Sequence, residues 1–152
     1  MLRWASPGDT PELAQVFFAA VREGASPYSD AQRKAWLPAS PGGRAWAERL
    51  EAKHVAVAER DGVIAGFISV EAGGYIDLAF IRPEHQGTGL FGQIFQKIES
   101  WARNHSEPRL WTHASLMAQP AFRAKGFLVI HHETVERDGQ KLTRAKMEKI
   151  LT

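Results

Sequence analysis

The chain of 152 residues contains no cysteine. That single absence excludes disulfides, thiolate metal sites, iron–sulfur clusters and a cysteine nucleophile together. Long apolar runs are missing as well: the longest, Val63 to Val70, has eight residues, against the ~20 that a membrane-spanning helix needs. A charge excess of one sign is also lacking, with Lys+Arg 19 against Asp+Glu 17 and a net charge of +2. So small an excess argues against a broad nucleic-acid-binding surface, and neither a nucleic-acid nor a membrane partner is expected. Met1 to Asp9 shows no apolar signal region, which leaves the cytoplasm as the expected location. At 44% hydrophobic and 24% charged residues, the composition is neither disordered nor fibrous. One domain over residues 1–152 is the expected organisation.

Hydrophobic periodicity divides the chain into elements. Leu2 to Ala5 reads as a short strand. Thr10 as cap, Pro11 at the first helical position and Glu12 in the first turn open a helix. Leu13, Val16, Phe17, Ala20 and Val21 give it one apolar face, and Gly24 stops it. Ser29 and Gln32 form a capping box for a second helix that Pro38 closes, and Arg44 to Lys53 is a further helical piece. From His54 the period becomes two. His54–Glu59 and Val63–Val70 are strands joined by the Asp61-Gly62 turn, and Gly73-Gly74 leads into a third strand, Tyr75 to Ile81. Leu90, Ile94, Ile98 and Trp101 mark a long amphipathic helix ending near Asn104. Arg109 to Ala114 is a strand, and Pro120 to Lys125 a short helix stopped by Gly126. Phe127 to Val135 and Lys141 to Lys149 close the chain as a hairpin through Asp138-Gly139. The order β-α-α-β-β-β-α-β-α-β-β predicts an α+β fold, with a mixed, mostly antiparallel sheet and a central parallel β-α-β crossover.

Between the third strand and the long helix lies Gln86-Gly87-Thr88-Gly89-Leu90-Phe91-Gly92. A helix N-terminus there presents unpaired N–H groups and the positive end of the helix dipole, and glycines let a phosphate approach the backbone. Gly87, Gly89 and Gly92 also match the dinucleotide pattern Gly-x-Gly-x-x-Gly. That fingerprint, however, directly follows a first buried parallel strand and is followed by a strand ending in an acid. Here antiparallel strands come first, Arg82 to Gln86 intervene, and Arg109 to Ala114 ends without an acid, which argues against NAD. No phosphate-loop Gly-Lys-[Ser/Thr] sequence is present either.

The stretch Tyr75 to Leu90, an extended segment, Arg82-Pro83 and then Gln86-Gly87-Thr88-Gly89, resembles the acetyl-CoA-binding motif of the GCN5-related N-acetyltransferases (GNAT). A second likeness is Ala121-Phe122-Arg123-Ala124-Lys125-Gly126-Phe127, which is similar to the short Gly-Phe-terminated helix of that family. The resemblance covers essentially the whole chain. It implies a GNAT-like fold splayed open between Tyr75–Ile81 and Arg109–Ala114 for acetyl-CoA, with no metal. Backbone groups of Ala79, Phe80 and Ile81 would hold the pantetheine arm and thioester. The loop of Gln86, Gly87, Thr88, Gly89, Leu90, Phe91 and Gly92 would cradle the pyrophosphate. Phe91 departs from the Gly or Ala usual there and narrows the approach. Ser115 falls where relatives often have an Asn contacting the cofactor; otherwise it is an end-of-strand turn residue. Phe122 occupies the cofactor-side position at which relatives often carry a Tyr general acid, and it has no proton to give. Arg123 and Lys125 follow the proposed cofactor region and could neutralise phosphates.

Acyl transfer to an amine needs a neutral nucleophile, and an amine near pKa ~10 is mostly protonated at neutral pH. Asp77, mid-strand among apolar neighbours, is the first candidate base, with burial expected to raise its pKa. The alternative for Asp77 is a structural acid facing solvent or paired with Arg. His113 is the second candidate, or else a hydrogen-bonded core residue. Tyr28, Trp36 and Tyr75 are candidates for an acceptor pocket, with helix packing as their other reading. His131 and His132 point to opposite strand faces, and His54, His85 and His105 are scattered, so no metal site is expected. With no cysteine and no Gly-x-Ser-x-Gly, direct transfer to a primary amine of a small molecule or peptide is the expected activity, in a monomer or homodimer. A non-catalytic acetyl-CoA or nucleotide sensor is the competing reading.

Overall fold

The computed structural model describes residues 1–151. It begins with β1 (Leu2–Trp4), α1 (Thr10–Arg22), α2 (Asp30–Trp36) and α3 (Gly43–Glu51). The middle of the chain forms β2 (His54–Arg60), β3 (Val63–Val70), β4 (Tyr75–Ile76) and β5 (Ala79–Ile81). It ends with α4 (Leu90–Asn104), β6 (Arg109–Ser115), α5 (Gln119–Ala124), β7 (Leu128–Arg137) and β8 (Gln140–Ile150). Strands β1-β2-β3-β5 make one four-stranded sheet and β4-β6-β8-β7 another. All pairings are antiparallel except β4 with β6. The fold is therefore α+β, as the periodicity implied.

The near-continuous apolar run of β3 follows from burial on both faces. Leu13, Val16 and Phe17 of α1, with Trp46 of α3, cover one face together with Val57 and Phe67. Leu90, Ile94, Ile98 and Trp101 of α4 cover the other, against Ala56, Ala65 and Ile68. Asp61 and Gly62 at φ 55° and 80°, and Asp138 and Gly139 at 45° and 77°, form the two tight hairpin turns. The capping box of Ser29 and Gln32 is present. Helix α1 opens one residue early, so Asp9 rather than Thr10 holds the cap position. The Asp9 carboxylate is engaged instead by Arg3 and by the Ser6 N–H.

The one substantial departure from expectation is the strand Tyr75 to Ile81. It is divided at Asp77-Leu78: Tyr75 and Ile76 pair in parallel with Trp111 and Thr112, whereas Ala79 to Ile81 pair with Gly66 to Ile68. Two buried hydroxyls fasten the division. Thr112 Oγ1 donates to the Ile76 carbonyl at 2.8 Å, and the Leu78 N–H donates to Ser69 Oγ at 3.0 Å. Gly74, at φ 80°, immediately precedes β4 where any Cβ would collide with the Arg109 carbonyl, so β4 and β6 meet there at backbone contact. Ser69→Ala removes the acceptor of a buried N–H and should destabilise the protein by about 1–3 kcal/mol in urea unfolding, whereas an unchanged midpoint would show that the fastening is dispensable.

Candidate active site

Division of the strand leaves a wedge between β5 and β6. The Leu78 carbonyl accepts from Ser69 N–H, and Arg82 N–H donates to the Ala65 carbonyl, so the backbone groups of Leu78, Phe80 and Arg82 face β3. Alternation then turns the backbone groups of Ala79 and Ile81 toward the wedge. The Ile81 carbonyl is taken by Gln86 Nε2 at 3.0 Å, which pins the glycine loop to the strand end. Ala79 keeps a free edge. Phe80 contributes its ring rather than its backbone, stacking on Phe17 with centroids 4.4 Å apart.

Two cavities open from the wedge. One, of about 340 Å³, runs from Ala79 and Ile81 past Gln86, Gly87, Gly89 and Phe91 to Pro120 of α5. Gly87 and Gly89 have φ 76° and 82°, and a Cβ at either would meet nothing within 4 Å, so their outer faces are open. Gly89 is the N-cap of α4, whose first N–H groups point outward beside it. This arrangement fits the pyrophosphate and pantetheine of a coenzyme A thioester. Phe91 forms part of the wall and packs edge-on to Phe122 at 5.2 Å. Two loop residues expected to face the cofactor do not line this cavity. Thr88 turns its hydroxyl to the His85 carbonyl at 2.6 Å, and a Cβ on Gly92 would meet Lys125 Nζ at 2.8 Å. Lys125 thereby brings an ammonium to the first turn of α4. Phe122 is 1% exposed and packs on Phe127; it borders the second cavity, not this one.

The second cavity, about 180 Å³, includes Tyr28, Trp36, Tyr75, Asp77, His113 and Phe122 in its wall. Ala79, Phe80, Ser115 and Ala118 line both cavities and mark their junction. Ser115 Oγ accepts from the Ala118 N–H at 3.2 Å, leaving its own proton uncommitted. Tyr28 is held structurally by its hydroxyl, which donates to the Thr143 carbonyl at 2.6 Å and accepts from Leu116 N–H at 2.9 Å. Its ring, edge-on to Trp36 at 5.8 Å, forms the roof carried by the α1–α2 connection.

The titratable groups sort differently from the sequence expectation. Burial pushes the Asp77 carboxyl up, but Arg49 and Lys53 outweigh it, and the net shift is downward. Arg49 donates to both Asp77 oxygens at 3.0 and 3.3 Å, and Lys53 Nζ is 3.5 Å away. The expected raised pKa is thus corrected: Asp77 is an ion-paired carboxylate. His113 Nδ1 lies 3.0 Å from the Tyr75 hydroxyl. Burial first, then Arg144, lowers the His113 pKa below its ordinary value, against the pull of Glu133. Burial, followed by Asp77, raises that of Tyr75. A neutral imidazole bonded to a neutral phenol at a cavity wall is a competent proton acceptor. The Tyr75–His113 pair, Arg49 and Arg144 were not legible as a set, because they converge from α3, β4, β6 and β8. The register of β6 against β8, which sets Ser115 opposite Arg144, is the feature that assembles them. Among the described residues no cluster of His, Asp and Glu has the geometry of a metal site, and no helix is long and apolar enough to cross a membrane.

The fold is shared with solved structures. The chain is 28% identical to a GCN5-related N-acetyltransferase (aminotransferase, class II) from Rhodopseudomonas palustris, with a TM-score of 0.91 over 99% of this chain and 95% of that one. A putative acetyltransferase from Salmonella typhimurium, solved with acetyl-CoA, is 20% identical at a TM-score of 0.74, covering 100% of this chain and 94% of the other. A GNAT-superfamily phosphinothricin acetyltransferase from Sinorhizobium meliloti, also with acetyl-CoA, is 17% identical at 0.76, covering 99% and 88%. No curated protein matches the chain. Residues 24–151 match the acetyltransferase (GNAT) domain family. That match takes in every strand except β1 and the whole of the divided wedge, and the chain belongs to the GNAT acetyltransferase family.

Proposed function

We propose that the protein transfers an acetyl group from acetyl-CoA directly to a primary amine of a small molecule or peptide. The observation that carries this reading is the junction at Ala79, where an unpaired strand edge joins a glycine-lined cavity to a second one walled by the Tyr75–His113 pair. Acetyl-CoA, when bound, supplies an activated thioester carbonyl and a sulfur leaving group. The first N–H groups of α4 hold negative charge at Gly87 and Gly89, and the ammonium of Lys125 adds positive charge beside Gly92 in the first turn of the same helix. The Ala79 backbone holds an extended chain by strand-like hydrogen bonds.

At the second cavity the amine proton passes to the Tyr75 oxygen as the Tyr75 hydroxyl proton passes to His113 Nδ1. The amine nitrogen gains a C–N bond as the C–S bond breaks, and the departing sulfur takes its proton from solvent, since Phe122 offers none. Asp77, held by Arg49 and Lys53, stays ionised and fixes α3 over the cavity instead of acting as the base. No cysteine exists to carry an acyl intermediate, so transfer is direct. One observation favours the alternative of a non-catalytic acetyl-CoA sensor: the apolar, fully buried Phe122 beside the junction. Thiol release with an amine acceptor separates the two.

Gly89→Val places a branched side chain at φ 82° and into the cradle; acetyl-CoA affinity measured by calorimetry should fall at least about tenfold, and unchanged affinity would refute the cradle. His113→Gln should lower kcat by about 10²–10⁴-fold with acetyl-CoA binding retained, and Asp77→Asn should lower it by less. The base works when His113 is neutral, so wild-type kcat should fall with an acid limb below pH 6.5, the group's ordinary value. A limb that stays in place in His113→Gln would assign the titration to another group.

A further inference from the structure

The second cavity carries a charge pattern that acetyl transfer by itself does not require. Three arginines reach it: Arg49 from α3, Arg137 from the end of β7 and Arg144 from β8. Arg49 is spent on Asp77 at 3.0 Å, which Lys53 also approaches. Arg144 is spent on Glu133 at 2.6 Å. Arg137 is exposed, and among the described residues it has no carboxylate within ion-pair distance. Once every pair is formed, the charge left over at the mouth of the cavity is positive and belongs to one guanidinium.

We propose that the acceptor is a small amine that also carries an anionic group, of the amino-acid type, with its carboxylate gripped by Arg137. This rests on the acetyl-transfer reading above. A guanidinium presents a planar fork of donors matched to a carboxylate, so Arg137 supplies both charge and orientation. Size points the same way: 180 Å³ lies below the roughly 300–1,000 Å³ of pockets for drug-sized ligands. Charge argues against a polyamine, which would bring further positive groups to a wall whose one unpaired charge is the Arg137 guanidinium. Burial first, then Arg144, keep His113 neutral as the base for the acceptor's amine, while the anion is left to Arg137. Trp36 and Tyr75 offer flat apolar faces to the carbon skeleton between the two ends.

The test is thiol release from acetyl-CoA with glutamate, methionine and alanine, their α-carboxamides, a linear polyamine, and tripeptides with an acidic N-terminal residue. For at least one of the free amino acids, kcat/KM should exceed that of its carboxamide by about ten- to a hundredfold, the worth of a charge-assisted hydrogen-bonded pair. Arg137→Gln should bring that ratio close to one through a raised KM for the amino acid, and Arg137→Lys should restore part of it. A carboxamide or polyamine used as well as the amino acid overturns the inference, as does an unchanged ratio in Arg137→Gln. Preference for the acidic tripeptides would assign the cavity to a peptide end and overturn the small-molecule acceptor. Calorimetry with acetyl-CoA separates the levels. Bound acetyl-CoA with no amino acid acetylated refutes this inference alone, whereas no binding refutes the acetyl-transfer reading with it.

Discussion

Everything at the site depends on one strand being shared between two sheets. A strand bonded on both edges has no free backbone to offer a ligand, and a strand bonded on neither would not stay in place. Tyr75 to Ile81 satisfies both demands by changing partners at Asp77-Leu78. The change exposes a few backbone groups to the wedge and would orphan others inside the core. Ser69, fully buried, and Thr112, nearly so, supply hydroxyls where sheet partners are missing. An unpaired buried amide costs about 1–3 kcal/mol, so these two side chains decide whether the split is tolerable.

Asp77 occupies the point of division, and its chemistry is set by that position. A carboxylate on the apolar wall is raised by desolvation, yet α3 delivers Arg49 and the turn after it delivers Lys53 to the same spot. The cations win, and the group becomes a clasp between helix and strand. Its contribution to stability is modest because the Arg49 side chain is 43% exposed and solvent screens the pair. His113 meets the opposite balance. Burial and nearby Arg144 both work against its protonation, and Glu133 approaches only to 3.9 Å. The more basic residue is therefore the one kept neutral, which makes it the better proton acceptor of the two.

How much of this could be read in the sequence depends on the range of the interactions involved. The buried faces of α1 and α4 were legible because Leu13, Val16 and Phe17, like Leu90, Ile94 and Ile98, repeat within a helix turn. Both Asp-Gly turns were legible because their positive φ angles are a local demand. The glycine loop was legible because backbone, not side chains, makes it. The division of Tyr75–Ile81 was not, since alternation reads the same for a strand in one sheet or two. The surroundings of Thr88 and Gly92 were not legible for a related reason: the motif places them in the loop, but only the fold turns the Thr88 hydroxyl to His85 and brings Lys125 beside Gly92. The Tyr75–His113 contact joins residues 38 apart through the parallel register of β4 on β6, and no local pattern announces it.

Charge shows the same limit from the opposite direction. A net charge of +2 over 152 residues says that long-range attraction is weak. It says nothing about a wall on which charges are paired one by one. The carboxylate of Asp77 in the wall of the second cavity, and that of Glu133 behind Arg144, are both consumed by cations from other elements. What a ligand meets is the remainder after those pairings. Pairing is decided by register and helix placement, and a few ångströms decide which charges remain unpaired. The local potential can thus be positive in a nearly neutral chain, and its sign is a property of the fold rather than of the composition.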